Sequence, residues 1–149
     1  MSLINSDLIQ INAKFKDKNE AINEIAELLY KNKRTGNKEG LIRDILKREE
    51  ELSTSMGLGV AIPHAHSEYV SEPSVVFIKL SEVITWGTDD NVKIIFGILN
   101  PLNNNNDYHL KILAKLARKL MDDEFRGKLD SVENKDEALR IMSFLNDRI

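Results

Sequence analysis

Two short, almost continuous apolar runs constrain the fold of this chain more than any other feature. They read SVVFIKL (residues 74–80) and VKIIFGIL (residues 92–99), and both are rich in β-branched side chains. Runs of this kind are typical of strands that are buried on both faces of a sheet. Both are far shorter than the roughly 20 apolar residues of a membrane-spanning helix. The chain must therefore provide helices that cover both faces of the sheet.

Amphipathic helical patterns lie on both sides of these runs. They occupy residues 17–29, 41–50, 108–121, 122–129 and 134–145. Two further strands are predicted before the apolar runs, at LIQINAKF (residues 8–15) and VAIP (residues 60–63). The resulting order, β-α-α-β-β-β-α-α-α, predicts an α/β protein that forms a three-layer α/β/α sandwich with a mixed sheet.

Local signals mark the ends of several elements. The pairs Asp17/Glu20 and Asn134/Glu137 have the three-residue spacing of a capping box and predict two helix starts. NPLNNNND (residues 100–107) is rich in turn-forming residues and is predicted to be a mobile loop tip.

Composition excludes several classes of protein. A chain of 149 residues with 42% hydrophobic side chains fits a single domain over residues 1–149. The absence of cysteine excludes disulfide scaffolds, thiolate metal sites and cysteine nucleophiles, and it suits a reducing cytoplasm. A net charge of −3 argues against sequence-independent binding to nucleic acid. With neither a signal-peptide pattern nor a long apolar run, we expect a soluble, cytoplasmic protein that does not insert directly into a membrane.

The segment STSMGLGVAIPHAHSEYV (residues 53–70) contains two of the three histidines. Pro63 stiffens the backbone just before His64, so that the imidazole is held in one direction. Gly57 and Gly59 allow tight turns and a close approach of backbone N–H groups to a ligand. Hydroxyl groups are available from Ser53, Thr54 and Ser55. The segment suits an anion beside an imidazole, although an ordinary loop histidine with turn glycines is the alternative.

Three more residues are candidates for the same site. Arg48, at the end of the second predicted helix, could bind a phosphate through its guanidinium group, or it could be a surface arginine near a helix C-terminus. His109, in the first turn of the helix after the asparagine run, could donate a hydrogen bond as a neutral imidazole, or it could be a capping or rim histidine. His66 shares a face with His64 in an extended segment, so that a zinc site of His64, His66 and His109 is conceivable.

The sequence KREEELSTSMGLGVAIPHAH resembles the enzyme IIA domains of the bacterial sugar phosphotransferase system, in the fructose/mannitol class (type 2). The matching residues are Arg48-Glu49, Thr54, Gly57, Gly59 and Val60-Ala61-Ile62-Pro63-His64. HLKILAKLARKLMDDEF resembles the family segment that carries a second histidine, which here is His109. The resemblance extends from Leu8 to Leu145. The chain departs from the common pattern at Ser55, Met56 and His66, and in a longer loop at residues 103–106.

The resemblance implies a phosphoryl relay. The phosphocarrier protein HPr would phosphorylate His64, and His64 would pass the group to an enzyme IIB, which serves the membrane permease IIC. The resemblance also implies that Arg48, Thr54 and Ser55 bind the phosphate, that His109 assists the transfer, and that no metal or cofactor takes part. The alternatives are a regulatory IIA module of the nitrogen type or of transcription regulators, and a zinc-dependent hydrolase. The sugar is not determined by these residues.

Overall fold

The structure is a computed structural model that describes residues 2–87, 90–103 and 106–146. Two short 3-10 helices, Ser6–Leu8 and Ser143–Asn146, lie near its ends. Between them the elements are β1 (Ile9–Ala13), α1 (Lys18–Lys31), α2 (Lys38–Glu51), β2 (Val60–Ala61), β3 (His64–Ser67), β4 (Ser74–Thr85), β5 (Asn91–Pro101), α3 (Asn106–Leu120), α4 (Asp123–Ser131) and α5 (Lys135–Met142).

The strands form one mixed sheet. Its order is β1-β4-β5-β2, and β3 also pairs with β5. β1 is parallel to β4, β4 is antiparallel to β5, and both β2 and β3 are parallel to β5. The predicted α/β class with a mixed sheet is therefore confirmed.

One strand, β3, is absent from the predicted order. The register of β2 on β5 continues through β3, since Val60 pairs with Ile94 and His64 with Ile98. Pro63 separates the two strands because it lacks a backbone N–H, but its carbonyl still accepts from Ile98 N at 3.0 Å. The first two histidines are therefore held in a strand at the edge of the sheet.

Helices cover both faces of the sheet. On one face α1 packs so closely that a Cβ on Gly97 would lie 3.2 Å from the side chain of Ile25. On the other face Nζ of the buried Lys79 donates to the backbone oxygens of Asp130 and Val132, at the C-terminal end of α4. This layering agrees with the predicted three-layer sandwich.

The asparagine run differs from its prediction as a mobile loop tip. Asn100 and Pro101 are the last two residues of β5, and Asn106 is the first residue of α3. Asn104 and Asn105 lie outside the described residues. Pairing with β3, in which His66 lies opposite Asn100, overrides the turn propensity at the start of the run. The prediction was therefore wrong for the two ends of the run.

Two predicted helix starts are confirmed. The side chain of Asp17 accepts from Glu20 N at 3.0 Å at the start of α1. The side chain of Asn134 accepts from Glu137 N at 2.9 Å at the start of α5. These bonds satisfy backbone donors that a helix leaves free in its first turn.

Candidate functional site

The two histidines of β3 point toward α3, and the opposite face of β3 contacts α2. On the α3 side, the rings of His64 and His66 lie 5.4 and 4.7 Å from the ring of His109, centroid to centroid. On the α2 side, Ser67 Oγ donates to Asp44 Oδ2 at 2.6 Å. The edge strand therefore carries the histidines into the space between two helices.

A cavity of about 370 Å³ opens at this edge of the sheet. It is lined by Asp44, Lys47, Arg48, Glu51, His64, Ala65, His66 and His109. A larger cavity of about 550 Å³, at Glu68, Val70 and Leu102, is lined by neither a histidine nor a cationic side chain. The smaller cavity is the candidate site because His64, His66 and His109 line it together with Arg48.

The backbone fixes the protonation pattern of His64. Nδ1 of its ring lies 2.8 Å from the backbone oxygen of Ile62. A carbonyl oxygen only accepts, so that Nδ1 carries the proton of the neutral ring and Nε2 keeps a free electron pair. Ile62 is itself held by the bond from its N–H to the oxygen of Thr54, at 3.0 Å.

Burial lowers the pKa of His64 below its ordinary value of 6.5. The positive charge of Arg48 lowers this pKa further, whereas the hydrogen bond to Ile62 raises it. The ring is therefore neutral near pH 7. A neutral imidazole with a free electron pair on Nε2 is a competent nucleophile.

His109 is buried, with 7% of its surface exposed, and is not the rim residue that was one interpretation of the sequence. Its Nδ1 lies 2.6 Å from Nδ2 of Asn100. Burial, followed by Coulombic interactions with His64, His66 and Arg48, lowers the pKa of His109 to about 4. His109 is therefore a neutral imidazole that lines the cavity beside His64.

Arg48 lies in the last turn of α2 and lines the same cavity. Its Nη1 donates to the backbone oxygen of Leu52 at 2.9 Å, and its Nε lies 4.0 Å from Oε2 of Glu51. A guanidinium group has five N–H donors, and these two contacts do not occupy them all. The structure thus brings Arg48, His64 and His109 together, as the sequence predicts.

Thr54 and Ser55 lie in the loop before β2 and do not line the cavity. The buried Glu49 carboxylate accepts from Thr54 N at 2.6 Å and from Thr54 Oγ1 at 2.5 Å. The same carboxylate accepts from Trp86 Nε1 at 3.2 Å. The hydroxyl proton of Thr54 is thus already donated, and the role of Thr54 and Ser55 in phosphate binding stays a prediction.

The glycines of this loop shape a turn. Gly57 and Gly59 have φ angles of 74° and 75°, in the left-handed region that favours glycine. Met56 N donates to the oxygen of Val60 at 2.9 Å, and Val60 N donates to the oxygen of Gly57 at 3.1 Å. The turn sends the chain into β2, and neither glycine lines the cavity.

Sequence reasoning did not assign a role to Glu49 or to Asn100. Glu49 follows Arg48 in the matched motif, and that position was the available signal. Asn100 is fully buried, but in the sequence it is the first of several similar asparagines. No local pattern distinguishes it from the others.

The described part of the chain shows neither a metal-binding cluster nor a membrane-spanning helix. Among those residues, no group of three or more histidine, cysteine, aspartate or glutamate side chains is arranged to hold a metal ion. In residues 2–87, 90–103 and 106–146, no helix combines the length and apolarity needed to cross a bilayer.

Comparison with known proteins identifies the family. Residues 2–144 match the family model described as "Phosphoenolpyruvate-dependent sugar phosphotransferase system, EIIA 2". The fructose-specific EIIA component of the phosphotransferase system of Haloferax volcanii is 34% identical over 131 residues, covering 87% of this chain and 84% of that protein. The 2-O-alpha-mannosyl-D-glycerate-specific EIIABC component of Escherichia coli is 29% identical over 150 residues, covering 99% of this chain but only 22% of that protein.

Solved structures share the fold. The nitrogen regulatory protein IIA-Ntr of Neisseria meningitidis has a TM-score of 0.87 at 27% identity, with 94% of this chain and 96% of that chain covered. The complex of enzyme IIAMTL and phosphorylated enzyme IIBMTL of Escherichia coli has a TM-score of 0.80 at 25% identity, with 95% and 97% covered.

The protein is an α/β protein in which a mixed sheet lies between helices, and a cavity at the sheet edge holds neutral histidines beside an arginine. These features define a class of α/β protein that is suited to phosphoryl transfer. The chain belongs to the EIIA 2 family of the phosphoenolpyruvate-dependent sugar phosphotransferase system. It is a phosphotransferase component that carries a phosphoryl group in sugar uptake, and its partners are other proteins of that system.

Proposed function

We propose that Nε2 of His64 is the atom that carries the phosphoryl group. The observation that supports this proposal is the bond from Nδ1 to the oxygen of Ile62, which leaves the electron pair on Nε2. That pair attacks phosphorus in line, the bond from phosphorus to the donor's histidine nitrogen breaks, and the donor nitrogen keeps the electron pair. The ring of His64 gains positive charge as the new bond forms, and the Ile62 oxygen stabilises that charge through the Nδ1 proton.

Arg48 and His109 stabilise the transferred group in this proposal. Phosphoryl transfer needs positioning and charge stabilisation more than covalent chemistry. Arg48 lines the cavity and brings a permanent positive charge. His109 lines the same cavity and is neutral, so that it can donate one N–H to a phosphoryl oxygen.

The donor in this proposal is phosphorylated HPr, and the acceptor is an enzyme IIB that serves a permease IIC. The structural relative that is bound to phosphorylated enzyme IIBMTL supports the choice of acceptor. The whole chain, residues 1–149, acts as one type-2 IIA domain in the cytoplasm. The names of the relatives suggest fructose, mannitol or 2-O-alpha-mannosyl-D-glycerate as the sugar transported by the partner components.

A regulatory role is the second candidate. The observation that favours it is the likeness to nitrogen regulatory protein IIA-Ntr, at a TM-score of 0.87. In that case a target protein would recognise whether His64 is phosphorylated. Transfer of phosphate to an enzyme IIB separates the two roles, since a purely regulatory module would keep its phosphate in that assay.

The test of the proposal is phosphorylation with phosphoenolpyruvate, enzyme I and HPr, followed by intact-mass measurement. We expect the mass gain of one phosphate, which is lost in acid as a phosphohistidine is. His64→Ala should abolish the gain. The matched control, His66→Ala, removes the neighbouring imidazole and should retain it. A mass that stays unchanged in the wild type with active donors, or label that depends on His66 alone, would overturn the proposal.

A further inference from the structure

We propose that Asn100 is a positioning residue for phosphoryl transfer: its side-chain amide donates to Nδ1 of His109 and so keeps the His109 proton on Nε2. This inference rests on the proposed function of His64. It concerns a residue that makes no contact with the phosphoryl group and acts only through His109.

Asn100 is well placed for such a role because it cannot move away. It is fully buried, lies in β5 and is paired with His66 in β3. Paired residues of neighbouring strands share a face, so that its side chain lies on the face of His66, toward His109. Nδ2 of Asn100 lies 2.6 Å from Nδ1 of His109, a distance at which one of the two atoms must donate to the other.

The charge state of His109 decides what this contact does. With its pKa lowered to about 4, His109 carries a single ring proton near pH 7. The proton is on Nδ1 or on Nε2, and the partner of Nδ1 determines which. An amide N–H can only donate, and His109 Nδ1 must then accept. The proton is therefore on Nε2, the nitrogen that remains for the cavity.

The opposite arrangement would work against transfer. If Asn100 presented its oxygen, Nδ1 of His109 would carry the proton and Nε2 would present an electron pair to the phosphoryl oxygens. The lone pair of His109 Nε2 would then repel the lone pairs of the phosphoryl oxygens, in a cavity that must hold an anion. In the structure it is Nδ2 of Asn100, and not Oδ1, that lies within hydrogen-bond distance of Nδ1 of His109.

His66 does not replace Asn100 in this role. Its ring lies 4.7 Å from that of His109, but its Nε2 is buried and has no hydrogen-bond partner. The groups whose Coulombic interactions lower the pKa of His109 are His64, His66 and Arg48, and none of these is a carboxylate that could pull the proton to Nδ1. The tautomer of His109 thus depends on Asn100.

The first experiment needs no variant. Two-dimensional ¹⁵N–¹H spectra of histidine-labelled wild-type protein report which nitrogen of each neutral ring carries the proton. We expect His109 to be protonated on Nε2 at pH 7. A His109 ring protonated on Nδ1 would overturn the inference, whether or not His64 is later found to carry phosphate. This separates its failure from a failure of the proposed function.

The second experiment uses Asn100→Asp. A carboxylate is similar in shape but only accepts, and it should draw a proton onto Nδ1 of His109. We expect the His109 signal to change to a ring protonated on Nδ1, and phosphoryl transfer from purified phospho-HPr to slow by roughly 10²-fold, the loss typical of one misdirected donor. Asn103→Asp is the matched control, because it adds the same charge at an exposed position of the following turn. It should leave both readouts unchanged.

The two readouts also distinguish positioning from structural support. The inference is overturned if Asn100→Asp changes the His109 tautomer but transfers phosphate at the wild-type rate. It is also overturned if the variant transfers slowly while His109 keeps the wild-type tautomer, since the slower rate would then not be due to the tautomer. If Asn100→Asp does not fold, the wild-type spectrum still overturns the inference when it shows His109 protonated on Nδ1.

Discussion

Nδ1 of His64 lies 2.8 Å from the backbone oxygen of Ile62, the residue on the other side of Pro63. The contact is local in the chain, yet it assigns different chemistry to the two nitrogens of the ring. Nδ1 donates to the backbone, and Nε2 is left as the nucleophile. The rigid ring of Pro63 limits the backbone conformations that could break the contact.

The first prediction is that the phosphoryl group is attached to Nε2 of His64. The Ile62 oxygen already occupies Nδ1, so that phosphorylation there would break a partly buried hydrogen bond. Coupling between ³¹P and ¹⁵N in histidine-labelled, phosphorylated protein identifies the bonded nitrogen. The His66→Ala variant should give the same coupling pattern, and a phosphorus bonded to Nδ1 would contradict the assignment.

The second prediction concerns Glu49, the buried carboxylate that accepts from Thr54 and Trp86. Glu49→Ala should lower the free energy of unfolding by about 3 kcal/mol, because it leaves buried donors without a partner. Urea denaturation measures the loss. Glu50→Ala is the matched control, since Glu50 is the next residue of α2 and is exposed. It should change stability by less than about 0.5 kcal/mol.

The loss of the Glu49 hydrogen bonds should also affect the position of His64. Thr54 N donates to Glu49, the oxygen of Thr54 accepts from Ile62 N, and the oxygen of Ile62 accepts from His64. A loop released by Glu49→Ala would therefore loosen the alignment of the nucleophile. We expect slower transfer from phospho-HPr at a temperature where the variant is still folded. A folded Glu49→Ala with the wild-type rate would show that the loop does not position His64.

The third prediction is that Arg48 acts on the transfer rate and not on stability. Arg48→Lys keeps a positive charge but loses the planar group of donors, and should slow transfer by roughly 10-fold. Its contacts with Leu52 and Glu51 are partly exposed, so that the free energy of unfolding should change by less than about 1 kcal/mol. The two measurements are the transfer rate by rapid-quench kinetics and the free energy of unfolding by urea denaturation. Arg43→Lys, on an exposed face of the same helix, should leave both at wild-type values.

The fourth prediction is a pH dependence of stability that comes from His109. Its pKa is lowered to about 4 in the folded protein, whereas its ordinary value is 6.5. Above about pH 7.5 it is neutral in both states and does not affect the slope. As pH falls from 6.5 toward 4, the unfolded chain binds a proton that the folded protein does not, and the free energy of unfolding decreases.

The measurement is a comparison of wild type with His109→Gln by urea denaturation between pH 4 and pH 8. Glutamine cannot titrate, so that the variant should lack this part of the acid destabilisation. The difference in stability between the two proteins should be constant above about pH 7.5 and should shift in favour of the variant as pH falls below that value. Parallel curves over the whole range would show that the folded environment does not lower the pKa of His109.

Several elements could be predicted from the sequence because their causes are local. The β-branched runs at residues 74–80 and 92–99 form strands, in β4 and β5. Short, continuous apolar runs of this kind are typical of strands that are buried on both faces of a sheet. Asp17 and Asn134 start helices because each side chain reaches a backbone N–H three residues away. His64 was a candidate nucleophile from the proline that precedes it and the motif around it.

Other features could not be predicted, since they depend on residues that are distant in the chain. Asn100 looks like a loop residue until the pairing of β3 with β5 places it opposite His66. Thr54 offers a hydroxyl to a ligand in the sequence, but in the structure the buried Glu49 carboxylate accepts its proton.

The sequence by itself determined the class of fold, the family and the histidine at the centre of the site, because apolar periodicity, capping residues and the AIPH motif are all encoded within a few consecutive residues. Only the tertiary structure decided which nitrogen of His109 is available, because that choice depends on the Asn100 amide. The contact of His64 with the backbone oxygen of Ile62 is local, but its geometry is observed only in the folded chain. The physical reason is that a ring proton responds to atoms within about 3 Å. Strand register and helix packing determine which atoms those are.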